Sequence, residues 1–270
     1  MDFYYFGGHI GSSLMKDLDD ANFTGVLFTY DAMQGDFFTR LARDIKHDQK
    51  IKYMIAIRPY AISPQYLCMV NQSINEIMPD RLQINLISGH VKPHEQSVGG
   101  ILGDINDSSS NIDRSNYLIK YVEMLEELRK NPRNQIPDYY VSTTNRFVFD
   151  ASSALNSKMI IAYRNYRHGC WVIRSEFDQI LEKGDPFSLD GTRSMISLSP
   201  IIRKTQEEID VLDKPYLTYD TDYFTYEQFD AFVKKLESDG VKELMLGGWP
   251  ESERNIIIKF VKEYTENNRG

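Results

Sequence analysis

Several features that would classify this chain at once are missing from it. It has only two cysteines, Cys68 and Cys170, too few and too far apart for a disulfide framework or a thiolate metal site. Two buried thiols in a reducing cytoplasm are expected. No run approaches the ~18 to 20 apolar residues that a membrane span needs, and the opening MDFYYFGGHIGSS has no basic stretch ahead of an apolar one. The expectation is a cytoplasmic protein with no membrane partner. Basic residues are the minority, 31 against 39 acidic for a net charge of -8, and no long Lys/Arg stripe offsets that repulsion from a polyphosphate backbone. Nucleic acid is therefore not an expected partner. Also absent are a nucleophile elbow, a P-loop and a Rossmann glycine pattern, which argues against the commonest hydrolase, NTPase and NAD readings.

What the chain does have is core-forming material. Its 270 residues are 41% apolar and 12% aromatic, enough for one large domain, and a single domain over 1–270 is expected. Short apolar runs bounded by turn residues alternate with longer amphipathic stretches. The strand candidates are 2–6, 25–30, 53–57, 82–87, 139–142, 159–162, 195–202 and 244–247. Helical patterns cover 35–47, 63–77, 115–130, 145–155, 176–183, 225–239 and 252–267. Ser63 before Pro64 reads as an N-cap followed by the first helical residue, and Ser252 precedes an Ile-rich stripe. Strands apolar on both faces and followed by helices predict a (β/α)8 TIM barrel, which typically needs about 250 residues. A doubly wound open sheet is the runner-up.

Two segments interrupt the alternation. One is the polar stretch 89–113, with its glycines and three consecutive serines; it follows a strand, where a barrel keeps its active site. The other, 203–224, is acidic and Tyr-rich with no clear helix or strand.

In a barrel the residues just past the strand ends are the informative ones. Five histidines are available, His9, His47, His90, His94 and His168, but none has His-x-His or HExxH spacing, and no metal is expected. Phosphate binding is better supported. Ser142, Thr143, Thr144 and Asn145 lie between a strand and a helix, so hydroxyls and free helix N-terminal N–H groups would converge on an anion. The alternative is that Thr144 or Asn145 only caps its own helix. Ser88-Gly89 adds a hydroxyl and a close backbone approach at a neighbouring strand end, and Gly247-Gly248-Trp249-Pro250 reads at least as a tight turn.

The stretch KIKYMIAIRPYAISPQYLCMVNQSINEIMPDRLQINLISG, residues 50–89, resembles the third and fourth strands of the bacterial luciferase-like flavin monooxygenases. Within them it is similar to the alkanesulfonate monooxygenase branch, where Ala-x-Arg-Pro ends a strand, Ser-Pro opens a helix and Arg-Leu-x-x-Asn-Leu-x-Ser/Thr-Gly forms the next strand. Weaker matches are Phe23-Thr24-Gly25-Val26-Leu27, Asp113-Arg114, Pro137-Asp138-Tyr139-Tyr140 and Leu246-Gly247-Gly248-Trp249-Pro250, and His9 falls where that branch has a histidine.

The resemblance implies a (β/α)8 barrel that takes reduced FMN (FMNH2) from a separate flavin reductase and uses O2 to oxidise a small organic molecule. It puts Ser88 and Gly89 beside the flavin, Ser142, Thr143 and Thr144 around its phosphate, and Arg114 among the cofactor contacts. His9 and Trp249 would face the flavin or substrate as catalytic candidates. The departures are specific. Gln34 stands where the branch has a Cys, Ser197 and Ser199 replace its Arg and His on the seventh strand, and 203–224 is short beside the family's segment before the eighth strand. Oxygen chemistry on a flavin must be shielded from water, so two readings stay open. Either 89–113 supplies the cover, or the chain binds flavin without turnover, like the nonfluorescent flavoproteins. The Met and aromatic content of 63–77 suits a homodimer face or, as expected, the barrel wall.

Overall fold

The computed structural model describes residues 1–6, 11–29, 37–44, 49–88, 111–142, 146–174, 180–212, 221–247 and 251–268. Eight strands of one sheet are β1 (Asp2–Phe6), β2 (Gly25–Phe28), β3 (Lys52–Ile57), β4 (Leu82–Ile87), β5 (Asp138–Ser142), β6 (Lys158–Ala162), β9 (Ser194–Arg203) and β11 (Glu243–Gly247). They run in the order β9-β11-β1-β2-β3-β4-β5-β6, and β6 pairs in addition with β9. The fold is a closed parallel (β/α)8 barrel, as expected. Each of the eight predicted strands lies within two residues of an observed one.

The helices are α1 (Ser12–Asp20), α2 (Phe37–Asp44), α3 (Pro64–Asn75), α4 (Asn111–Arg129), α5 (Arg146–Ala154), α6 (Tyr163–His168), α7 (Gln206–Asp210), α8 (Tyr226–Ser238) and α9 (Glu251–Asn268). Local chemistry explains their starts. Ser63 accepts a hydrogen bond from the Tyr66 N–H ahead of Pro64, and Thr225 and Gln228 form a reciprocal capping box on α8. Asn22, Asp80 and Asn156 take positive φ where helices turn back towards strands, a conformation that short polar side chains tolerate.

The chain divides into two compact units. The unit of Leu27–Met159 carries β3, β4 and β5, whose ladders pair Ile55 with Ile84 and Asn85 with Tyr140. Its core is Met54, Ile84, Leu86, Leu67, Leu118, Leu125 and Tyr121. The unit of Met1–Val26 and Ile160–Gly270 carries β1, β9 and β11, with Phe6 opposite Gly247 and Leu246 opposite Leu198. Its core is aromatic: Phe229 meets Phe260 edge-on with ring centroids 4.6 Å apart, and Phe224 and Phe232 pack at 5.2 Å.

Two expectations for the second half need correction. The pattern at 176–183 was expected to be helical, but 180–183 belongs to β8 (Ile180–Pro186), antiparallel to β7 (Cys170–Arg174). The β-forming run CWVIR supplies the partner strand that overrides the helical period. The segment 203–224, expected to be irregular, contains α7 and β10 (Thr221–Thr225), with Thr205 capping α7 by accepting from the Glu208 N–H. β9 spans ten residues: Met195–Leu198 pair with β11, and Ser199–Arg203 continue beside β10.

Candidate active site

In the unit of Leu27–Met159, the C-terminal ends of β4 and β5 carry a linked set of polar groups. Tyr139 points out to α4, where its hydroxyl donates to Glu126 at 2.5 Å and Arg129 lies over its ring. Alternation along β5 therefore turns Tyr140 and Ser142 to the opposite, inward face. There the Ser142 hydroxyl donates to Asn85 Oδ1 at 2.8 Å. Asn85 is only 4% exposed, and Ile87 stands opposite Ser142 in the ladder. Ser88 follows one residue later, half-buried, and its carbonyl accepts from Arg114 Nε at 3.1 Å. Arg114, the fourth residue of α4, is itself buried.

The structure thus brings Ser88 together with Arg114 and places Ser142 on the adjoining strand end. Gly89, Thr143 and Thr144 lie outside the described residues. Asn85 was missed as a site residue. Its signal was an amide inside the buried run LQINLI, since a polar side chain is kept in a core only with a partner or a task. Gln83 shares its face, and its buried Oε1 has no hydrogen-bond partner among the described residues. A polar cavity of about 650 Å³ lies at the other, N-terminal end of these strands, bounded by Lys52, Arg129 and Asp138. Its amides hold the fold: Asn71 donates to the Gln135 carbonyl and Asn75 to its side chain.

In the other unit, Phe6 and Gly247 close the ends of β1 and β11, and Ser199 stands in β9 where its pairing passes from β11 to β10. Gly247 is a spatial requirement, because a Cβ there would collide with Ser199 Oγ and come within 2.7 Å of the Phe6 ring. Ser199 is buried and Ser197, opposite Met245, is half-buried. His9, Gln34 and Trp249 lie outside the described residues. Past Ser199, Arg203 makes a bidentate ion pair with Glu253 in the first turn of α9, at 2.6 and 2.8 Å. The sequence carries no local signal for this pair, whose members stand 50 positions apart. Arg167 donates to Asp222 on β10 at 2.9 Å, while burial pushes the Asp222 carboxyl above its usual pKa against the pull of Arg167. Burial and a hydrogen bond to Asp239 push Tyr166 up to about 12.

Among the described residues no group of three or more His, Cys, Asp or Glu is placed to hold a metal ion, and no helix is long and apolar enough to cross a membrane. No family model and no curated protein matches the sequence. Solved structures do match. The monooxygenase RslO1 from Streptomyces bottropensis superimposes with a TM-score of 0.63 at 12% identity, over 100% of both chains. Long-chain alkane monooxygenase LadA gives 0.61 at 10% identity, covering 98% of this chain and 91% of its own. The coenzyme F420-dependent tetrahydromethanopterin reductase from Methanopyrus kandleri gives 0.63 at 8% identity, over 97% of both chains. The chain has the luciferase-like barrel fold. Monooxygenases and an F420-dependent reductase share this barrel with the chain to a similar degree. In this luciferase-like barrel, the hydroxyl, amide and guanidinium groups of one unit stand at strand ends, where barrel enzymes keep their chemistry.

Proposed function

We propose that the chain is a reduced-FMN-dependent oxidoreductase that uses O2 to oxidise a small organic substrate, with reduced flavin delivered by a separate reductase. The observation that carries this reading is the coupled pair at the ends of β4 and β5, Ser142 bonded to Asn85, with Arg114 bound to the Ser88 carbonyl beside it. The donor set fits a flavin. Asn85 and Ser142 would offer an amide and a hydroxyl to the flavin ring, Arg114 would offer a cation to its phosphate, and Gly89, Thr143 and Thr144 follow directly in sequence.

When bound, reduced FMN supplies two electrons, so that substrate, O2 and FMNH2 become oxygenated substrate, water and FMN. The protein's own contribution is positional. Ser142 fixes the Asn85 amide by occupying its oxygen, which leaves the amide N–H groups as donors. Arg114 ties the start of α4 to the end of β4, which holds Ser88.

A second reading, hydride transfer with coenzyme F420, is favoured by the overlay on the Methanopyrus reductase, equal in TM-score to that on RslO1. Titration with FMN and F420 in both redox states, followed by oxygen uptake in the presence of reduced FMN, tests these readings. Tight binding of reduced FMN with substrate-dependent oxygen uptake is expected. Selective binding of F420 favours the second reading, flavin binding without substrate-dependent uptake favours a flavin-binding protein, and binding of neither rejects all three.

A further inference from the structure

The cavity of about 650 Å³ at the N-terminal ends of β3, β4 and β5 lies wholly within the unit of Leu27–Met159, and its wall carries charges of both signs. Lys52 opens β3 and Asp138 opens β5, on the two sides of β4. With strands ~4.8 Å apart, their backbones stand at least about 10 Å from each other. Arg129, laid over the Tyr139 ring, adds a second cation, and Asp80 a second carboxylate. These charges are held apart: Arg129 reaches Glu126 at 3.7 Å, and among the described residues no ion pair joins the two cations to the two carboxylates. The wall between them is braced from within. Asn75 accepts from the Asp80 N–H and donates to Gln135 Oε1, and Asn71 donates to the Gln135 carbonyl. Both oxygens of Gln135 are thereby engaged, which turns its amide N–H groups into donors for a guest. Leu82, Ile136 and Pro137 supply an apolar side. The volume falls in the range of about 300 to 1,000 Å³ that small-molecule sites occupy. Along β4 the cavity is separated from the Ser88 end by roughly 16 Å.

We infer that this cavity is a second ligand site, for a zwitterion of dipeptide length with an apolar side chain. Its carboxylate answers Lys52 and Arg129, and its ammonium answers Asp80 and Asp138. The spacing of the wall sets the length. A free amino acid carries both charges within one residue, whereas two extended residues span ~7 Å and the long Lys52 side chain covers the remainder. A guest with one charge is attracted by half of the wall and repelled by the other half, so only a guest with both gains on both sides. Bracing by Asn71, Asn75 and Gln135 lowers the ordering cost of binding. The inference uses none of the residues of the proposed flavin site and stands independently of it.

Calorimetric titration of the full chain with alanyl-leucine, N-acetyl-alanyl-leucine and alanyl-leucinamide tests this, since the second probe keeps only the negative charge and the third only the positive one. Alanyl-leucine is expected to bind at least about fivefold more tightly than either capped form, as suits charge pairs that remain partly open to water. Lys52→Met keeps the aliphatic stem and is expected to weaken alanyl-leucine by about fivefold while leaving alanyl-leucinamide unchanged. Asp80→Asn keeps a residue that tolerates the φ of 57° found there, and is expected to weaken alanyl-leucine and alanyl-leucinamide while leaving the N-acetyl form unchanged. Saturating FMN is expected to leave all three affinities as they were. No saturable binding of alanyl-leucine overturns the inference, as do equal or tighter binding of a capped form, competition by FMN, or folded variants that bind like the unaltered chain. Should a variant fail to fold, the order of the three probes on the unaltered chain decides.

Discussion

Placing a methyl group at Gly247 should cost stability through crowding, in an amount that one neighbour controls. The backbone of Gly247 is strand-like, so alanine meets no conformational objection there. What it meets is Ser199 Oγ and two atoms of the Phe6 ring, at 2.7 and 2.8 Å from the new Cβ. Ordinary carbon contacts lie at ~3.5 to 4.0 Å, so the ring and the hydroxyl must both retreat inside a packed strand end. Overpacking of this kind costs about 1 to 3 kcal/mol. For a chain of this length each kcal/mol lowers the melting temperature by roughly 2 °C, so Gly247→Ala should melt about 2 to 6 °C below the unaltered protein. Shortening Ser199 to alanine removes the nearest clash and leaves the ring contacts. Gly247→Ala with Ser199→Ala should therefore be more stable than the sum of the single effects by about 1 kcal/mol, read by urea unfolding as a double-mutant cycle. An additive cycle, or a Gly247→Ala protein within about 0.3 kcal/mol of the unaltered chain, would refute the reasoning.

Three further outcomes follow from other parts of the molecule. Ser142→Ala frees Asn85 Oδ1 and should weaken reduced-FMN binding by about tenfold with little change in melting temperature; the reverse pattern would make the hydroxyl purely structural. Thr225→Ala removes half of the capping box of α8 and should cost about 1 kcal/mol in urea unfolding, against no loss if solvent satisfies those N–H groups as well. Asp222, held above its usual 3.8 by burial, binds its proton more tightly when folded, so the stability this lends is present below about pH 4 and is lost as pH rises through the raised value. Asp222→Asn should flatten the stability curve in that window, and an unchanged slope would show that the shift is not felt in folding.

The parts of the fold that could be read from the residues are those whose signals are local. β3, α3 and β4 announce themselves by KYMIAI, by Ser63 ahead of Pro64 and by LQINLI, and the structure keeps all three. The helical period at 176–183 misled because pairing with Cys170–Arg174 is a tertiary event that no window of the sequence contains. α7 did carry a local sign, Thr205 three residues before Glu208, which the acidic character of the segment obscured. Among the candidate site residues, Ser88 and Ser142 are named from their strand-end positions and Arg114 from the resemblance. The bond from Ser142 to Asn85 crosses between strands, and the pairing of Arg203 with Glu253 joins residues far apart in sequence, so both became visible only in three dimensions.

The length of β9 has a consequence for how this end of its unit breathes. Most barrel strands stop at the rim, and the residues beyond them open freely to solvent. Here Ser199–Arg203 are laced to Thr221–Thr225 as a continuation of the same strand. Their amide hydrogens should exchange with solvent on the slow timescale of global unfolding rather than the fast one of a loop. The hydroxyl of Ser199 sits at the junction, on a backbone clamped both below and above it. The edge so formed does not yield, and any change of shape in this unit has to be taken up elsewhere.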